Sequence, residues 1–155
     1  MDSARQRAVR ERAGHRCEYC HFPETFAEIP FHVDHVISRQ HGGPDKLDNL
    51  ALACCFCNRY KGPNLSGVDP DSNRVVRLFH PRENVWAEHF AWNGPRLVGR
   101  TPIGRATIQA LRLNRADAVA VRQLLMHEGV YLLERAGASC SASAEASNVP
   151  PRPCR

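Results

Sequence analysis

The sequence predicts a small α+β protein whose core is held together by a four-cysteine zinc site. One observation is a pair of Cys-x-x-Cys turns, formed by Cys17 with Cys20 and by Cys54 with Cys57. A second is the chain between them, which has the pattern of a strand, a loop and a returning strand that leads into a short helix. A third is the C-terminal half, where apolar residues recur at strand and helix spacings.

Size and charge bound the class of protein. The chain has 155 residues, which is enough for one modest core. The formal net charge is +5, and Lys46 and Lys61 are the only lysines, so arginine dominates a basic excess that favours nucleic acid as a partner. A solvated basic surface explains the same charge equally well. No stretch approaches the roughly 20 apolar residues that span a bilayer, so we expect no membrane partner.

Cysteine usage indicates metal rather than disulfides. The charged N-terminus is not followed by an apolar segment, so we expect no secretory signal and a cytoplasmic location. Thiols stay reduced in that compartment. The chain has seven cysteines, an odd number, and their clustering then favours a metal site.

Residues 1–63 are predicted to form the functional core. An Arg- and Ala-rich helix is expected to end at Gly14, and the last helix of this core at Gly62. The predicted elements are a basic helix, a strand, a glycine-rich loop, a returning strand and a short helix, at residues 3–13, 29–38, 39–49, 50–53 and 57–61.

Residues 64–136 are predicted to form an extension that packs on this core. Its Pro-, Asp- and Ser-rich start is typical of a loop, and two apolar runs and two helical patterns follow. The expected loop, strands and helices lie at residues 64–74, 75–79, 86–92, 102–113 and 116–133. Residues 137–155 are rich in Ser, Ala and Pro, which predicts a disordered tail.

The spacing of the cysteine pairs is what a structural zinc ion requires. Two intervening residues let both sulfurs of a tight turn face one ion, and four thiolates complete a closed tetrahedron. Cys55 offers a second candidate beside Cys54, but the spacing to Cys57 favours Cys54. Merely buried cysteines are the alternative, and two matched pairs argue against it. A redox role would need a thioredoxin-like context, which the pattern lacks.

The chain between and after the cysteine pairs carries groups that suit phosphodiester hydrolysis. This reaction needs a base that activates water and a divalent ion held by oxygen ligands. His35 can act as the base, and Asp34 and Asn58 can supply the oxygens. Neighbouring strand residues point to opposite faces, so Asp34 and His35 can face one site only at a bulge or a strand end.

These residues resemble a known family. His35, Asn49 and Asn58 match the three signature positions of HNH endonucleases, and the cysteine pairs match the zinc-binding branch of that family. Gly42-Gly43 and the Lys61-Gly62 pair after Asn58 are similar as well, so the resemblance covers roughly residues 5–63. A run from Leu78 to Arg82, followed by Trp86, is similar to the continuation found in stand-alone bacterial HNH proteins.

The resemblance implies a fold and a set of roles. The fold is the ββα-metal nuclease core with its four-cysteine zinc site, followed here by C-terminal strands and helices. His35 would be the general base, Asp34 and Asn58 would bind catalytic magnesium or manganese, and Asn49 would order the loop by hydrogen bonding. The product would carry a 5′-phosphate. Asn58 has an alternative role as a helix N-cap.

The expected partner is DNA. Candidate phosphate contacts are the basic residues beside the site and on the first helix, although a solvated helix face is the usual fate of such residues. They are Arg59, Lys61, His41, Arg5 and Arg12. Two other functions are compatible with zinc binding alone: a module that grips nucleic acid without cutting it, and a structural adaptor for a protein partner.

Overall fold

A computed structural model describes residues 2–129 and has the predicted α+β architecture. The helices of this part are α1 (Ser3–Arg12), α2 (Cys55–Lys61), α3 (Trp86–His89), α4 (Pro102–Ala110) and α5 (Ala116–His127). The strands are β1 (His32–His35), β2 (Leu50–Ala53), β3 (Ser66–Val68), β4 (Val75–Arg77), β5 (Phe90–Asn93) and β6 (Arg96–Gly99). They pair in sequence order as three antiparallel hairpins.

The N-terminal core is the β1–β2 hairpin with α1 and α2 packed against it. The pairing is regular, with Asp34 opposite Ala51 and His35 opposite Leu50, so β1 contains no bulge. All four residues of β2 are fully buried, as expected for an apolar strand covered by two helices. The α1 helix begins at the N-cap Asp2, whose side chain accepts a hydrogen bond from the Ala4 amide.

The predicted elements of this core are present, but β1 is shorter than the expected strand over 29–38. Pro30 has no amide hydrogen, which limits pairing at the start of the strand. Beyond His35, the amide of Val36 still bonds to the Asn49 carbonyl, and the amide of Ile37 is then bound by the Asn49 side chain. The strand therefore ends where the Asn49 side chain, instead of a backbone carbonyl of β2, accepts the hydrogen bond from the Ile37 amide.

The extension differs more from its prediction. The expected strand over 86–92 is wrong in its first half, because Trp86–His89 forms the helical turn α3 and the strand begins only at Phe90. Trp86 and Phe90 are four residues apart, and their rings lie 5.1 Å apart, a contact that helical spacing allows. The strand β3 lies in a segment that was expected to be loop.

The hairpin partner β6 was also missed by the sequence analysis. Gly94 and Pro95 form the two-residue turn between β5 and β6, and Gly94 has a φ of +55°. A glycine at the first central position of a two-residue loop is a known hairpin signal that could have located this strand. The helices α4 and α5 end earlier than predicted. α4 ends at Ala110 rather than at residue 113, and α5 ends at His127 rather than at residue 133. The part of the second helix beyond residue 129 and the predicted tail over 137–155 lie outside the described residues.

The two segments share one hydrophobic cluster. It includes Tyr19 and Leu52 from the core, and Leu78, Phe90 and Leu113 from the extension. The boundary predicted at residue 63 separates two sequence patterns, but apolar side chains from both sides of it pack together. None of the helices in the described part of the chain has the length and apolar character needed to cross a bilayer.

We expect Phe90 to be a major source of stability. The residue is 1% exposed, and its ring lies 5.1 Å from the rings of both Phe79 and Trp86. Phe90→Ala leaves a cavity and should lower the free energy of unfolding by about 3–5 kcal/mol, measured by chemical denaturation. Leu124→Ala is the control, because Leu124 is 60% exposed and its loss should cost within about 0.5 kcal/mol. Equal effects of the two variants would contradict this packing.

Candidate metal centre and active site

Four buried cysteine sulfurs converge at one point. The Sγ atoms of Cys17, Cys20, Cys54 and Cys57 all lie within 4.8 Å of one another. The Sγ atoms of Cys20 and Cys54 are 3.8 Å apart, which is about the edge of a tetrahedron with Zn–S bonds of about 2.3 Å. Cys55 is outside this cluster, as the spacing predicted. The donor set therefore fits one tetrahedral metal ion.

A turn and the N-terminus of α2 orient these sulfurs. The first knuckle, Cys17 to Cys20, is a turn closed by hydrogen bonds from the Cys17 amide to the Phe22 carbonyl and from the His21 amide to the Cys17 carbonyl. In the second, Cys54 is the N-cap of α2, and its Sγ accepts a hydrogen bond from the Cys57 amide. Burial raises the pKa of the Cys17 thiol well above its usual range, and binding of a metal ion would require deprotonation of this thiol.

Asp34 lies on β1 with its carboxylate turned toward the first knuckle and α2. Its Oδ2 accepts a hydrogen bond from the Tyr19 hydroxyl at 3.0 Å and lies 3.0 Å from the Lys61 ammonium nitrogen. The side chain is only 10% exposed. Burial raises the pKa of Asp34 above its usual value, although the charge of Lys61 and both hydrogen bonds act in the opposite direction. The site therefore contains a buried carboxylate beside a buried cation.

His35, the last residue of β1, faces a different partner. Its Nε2 lies 3.1 Å from Oδ1 of Asp45. A carboxylate only accepts hydrogen bonds, so Nε2 carries the proton and Nδ1 is the free ring nitrogen of the neutral imidazole. Asp34 and His35 thus have separate side-chain partners. β1 contains no bulge, but His35 is its last residue, which is the other condition under which both side chains can face one site.

Asp45 is a site residue that the sequence analysis missed. Besides His35, it pairs with Arg5 at 2.7 Å and with Arg39 at 3.6 Å. Desolvation disfavours its charge, but the hydrogen bond from His35 and the two guanidinium charges outweigh this, so the pKa of Asp45 lies below its usual value. Asp45 follows Pro44 in a loop, and no spacing rule links it to a histidine on the preceding strand.

Asn58 lies within α2 and is not its N-cap, which is Cys54. It is half-buried and precedes Lys61 by three residues, so the two share one helix face. Because the Lys61 ammonium reaches Asp34, this face is directed toward β1. The amide of Asn58 and the carboxylate of Asp34 therefore belong to facing elements.

Asn49 orders the loop between β1 and β2. Its side chain is buried, accepts a hydrogen bond from the Ile37 amide, and donates to the Ile37 and Pro44 carbonyls at 2.9 and 3.0 Å. Gly43 lies against the same groups, and a Cβ there would collide with the Ile37 carbonyl. The loop is thus held close to the end of β1, which places Asp45 beside His35.

A comparison with known families agrees with this geometry. The family model described as HNH endonuclease matches residues 17–64. Residues 17–64 form an HNH domain. The match runs from the first cysteine of the four-sulfur cluster to just beyond α2, and it includes Asp34, His35, Asn49 and Asn58. The chain has no significant match among curated proteins or among solved structures.

Some of the candidate DNA-contacting residues are exposed, and the others are bound within the protein. Arg59 and His41 are exposed. Lys61 is 2% exposed and bound internally, which does not fit the phosphate contact expected for it. Arg5 pairs with Asp45, and Arg12 donates to the Leu47 and Leu50 carbonyls, so both hold the loop and hairpin in place.

Residues beyond the HNH domain support its first knuckle. The Trp86 indole donates a hydrogen bond to the Tyr19 carbonyl at 3.0 Å, and its ring stacks on His21 at 4.1 Å. Arg82 forms an ion pair with Glu18 inside the knuckle. The Glu18 carboxylate also accepts from the Leu52 amide, which ties the knuckle to β2.

Loss of one cluster sulfur should remove the metal and destabilise the HNH domain. We expect Cys57→Ser to lose one equivalent of zinc, measured by elemental analysis, and to melt at lower temperature, because structural zinc contributes roughly 10 kcal/mol or more of binding free energy. Cys55→Ser is the matched control and should keep its zinc, since Cys55 is the neighbouring thiol outside the cluster. Full zinc content in Cys57→Ser would rule out the four-sulfur site.

Proposed function

We propose that this protein is a metal-dependent DNA endonuclease that hydrolyses phosphodiester bonds, with His35 as general base and one divalent ion. The observation that carries the proposal is the end of β1. There a buried carboxylate and an imidazole with one free ring nitrogen occupy consecutive positions, opposite the helix face that bears Asn58. The match of this region to HNH endonucleases supports the same chemistry.

Asp34 and Asn58 are the residues that would hold the catalytic ion. They offer a carboxylate and an amide oxygen, hard donors that suit magnesium or manganese. When bound, such an ion stabilises negative charge on the phosphate and on the leaving oxygen. The four cysteines differ in role: soft thiolates that surround an ion completely leave no position for substrate, so that site would hold zinc as a structural ion.

His35 would take the proton from the attacking water. The Asp45 carboxylate holds Nε2–H, which leaves Nδ1 as the basic nitrogen and stabilises the imidazolium once the proton has moved. Asn49 contributes by keeping the loop, and with it Asp45, against the end of β1. Asp45 is thus a positioning residue for the base.

DNA is the substrate class that the charge supports. The net charge is +5, and the exposed Arg59 and His41 belong to α2 and to the loop that flank the site. Contacts to backbone phosphates need only such basic groups and make binding salt-dependent. A zinc-binding module that holds nucleic acid without cutting it remains the alternative, and it requires neither the base nor the second ion.

His35→Ala should abolish nicking of supercoiled plasmid. Removal of a general base typically costs about 10²–10⁴-fold in rate. The assay compares magnesium and manganese with metal-free buffer, and zinc content and circular dichroism verify that the variant is folded. A variant that cuts at the wild-type rate would contradict the role of His35. Wild-type protein that binds DNA but never cuts it would favour the binding module.

Asp45→Asn should slow cleavage at least about tenfold, because an amide can donate to Nε2 and so favour the wrong tautomer of His35. Single-turnover rates at saturating metal provide the measurement. Asp48→Asn is the control, since Asp48 is exposed and precedes Asn49 in the same loop. If both substitutions changed the rate equally, loop charge rather than the His35 contact would explain the effect.

A further inference from the structure

Lys61 is a buried cation built into the candidate site. Its side chain is 2% exposed, and its Nζ lies 3.0 Å from Asp34 Oδ2, 3.1 Å from the His35 carbonyl and 3.2 Å from the Gly62 carbonyl. An ammonium group has three hydrogens to donate, so these three oxygens use all of them. The side chain is therefore committed to the interior.

Tyr19 donates to the same oxygen of Asp34 that Lys61 contacts. Its hydroxyl lies 3.0 Å from Oδ2, and the whole residue is 1% exposed. Two features fix the position of Tyr19. It is part of the first knuckle, and its carbonyl accepts the hydrogen bond from Trp86. The zinc cluster and the extension therefore both act on Asp34 through one side chain.

The two oxygens of the Asp34 carboxylate have different environments. Oδ2 has a neutral donor and a cationic donor, whereas Oδ1 receives no hydrogen bond from the described residues. A divalent ion that approached Oδ2 would have to displace a buried ammonium. An ion at Oδ1 would still lie close to that positive charge in a poorly solvated site, where repulsion between like charges is strong.

We propose that Lys61 and Tyr19 are positioning residues that hold Asp34 through Oδ2, so that Asp34 binds the divalent ion through Oδ1 alone and with reduced affinity. This inference rests on the proposed function, in which Asp34 is a ligand of that ion. The arrangement has a structural benefit, because the buried carboxylate is paired before any ion arrives. It would also leave the ion free to bind Asn58, water and a phosphate oxygen.

The test measures ion binding rather than cleavage. Zinc-loaded full-length protein is titrated with Mn²⁺, and the free ion is followed by electron paramagnetic resonance. Lys61→Met keeps the length of the side chain and removes its charge, and it should bind Mn²⁺ about tenfold more tightly or better, by loss of competition and repulsion. Lys46→Met is the matched control, since Lys46 is the other lysine and is exposed; its affinity should stay within about twofold of wild type.

Tyr19→Phe tests the neutral half of the contact. It removes a single hydrogen bond to Oδ2 and should tighten Mn²⁺ binding by a smaller factor than Lys61→Met, because no charge is lost. Thermal melts add a second readout: without Mn²⁺, Lys61→Met leaves Asp34 unpaired and should melt below wild type, and Mn²⁺ should raise its melting temperature more than that of wild type. If Lys61→Met does not fold, Lys61→Gln replaces it in both measurements.

The outcomes separate the inference from the function on which it rests. Wild-type or weaker Mn²⁺ affinity in the Lys61 variant, together with loss of binding in Asp34→Asn, would overturn the inference and leave the ion site in place. Mn²⁺ binding by wild type that Asp34→Asn does not change, with no cleavage of DNA, would overturn the proposed function as well. Tighter Mn²⁺ binding in Lys61→Met, with unchanged binding in Lys46→Met, supports the inference.

Discussion

The convergence of four buried sulfurs is the constraint on which the candidate site depends. Cys17 and Cys20 precede the β1–β2 hairpin, and Cys54 and Cys57 begin the helix that follows it. Joining them brings α2 across the hairpin, so that the helix face with Asn58 and Lys61 meets β1. A seven-residue helix has little stability of its own, and a metal ion bound by the four cysteines at its first turn would hold it there.

The extension completes the site although it contributes none of the proposed catalytic groups. Trp86 and Arg82 hold the first knuckle by its backbone and by Glu18, and the knuckle in turn delivers Tyr19 to Asp34. A chain of contacts therefore runs from α3 to the carboxylate. Residues 17–64 alone would lack the contacts made by Trp86 and Arg82, and also the apolar packing that the core shares with the extension.

At two places in the described part of the chain, a carboxylate with little exposure is paired with a cation. Asp34 with Lys61 lies at the site, and the fully buried Asp69 receives two hydrogen bonds from Arg105 that join the β3–β4 turn to α4. An unpaired buried charge would cost several kcal/mol, so each pair favours one arrangement of its elements over others. At Asp34, the carboxylate that pairs with Lys61 is also the one proposed to bind the divalent ion.

Local patterns in the sequence determined the cysteine pairs, the order of strand, loop, strand and helix, and the chemical groups at Asp34, His35 and Asn58, because spacing along the chain governs turns and periodicity. The split of the expected strand at 86–92 into α3 and β5 escaped that reasoning, since packing of Trp86 on Phe90 and His21 outweighed strand propensity. Only the tertiary structure turned Lys61 inward, set Asp45 beside His35 and brought Tyr19 to Asp34. These contacts join residues far apart in sequence, and register, burial and side-chain direction decide them together.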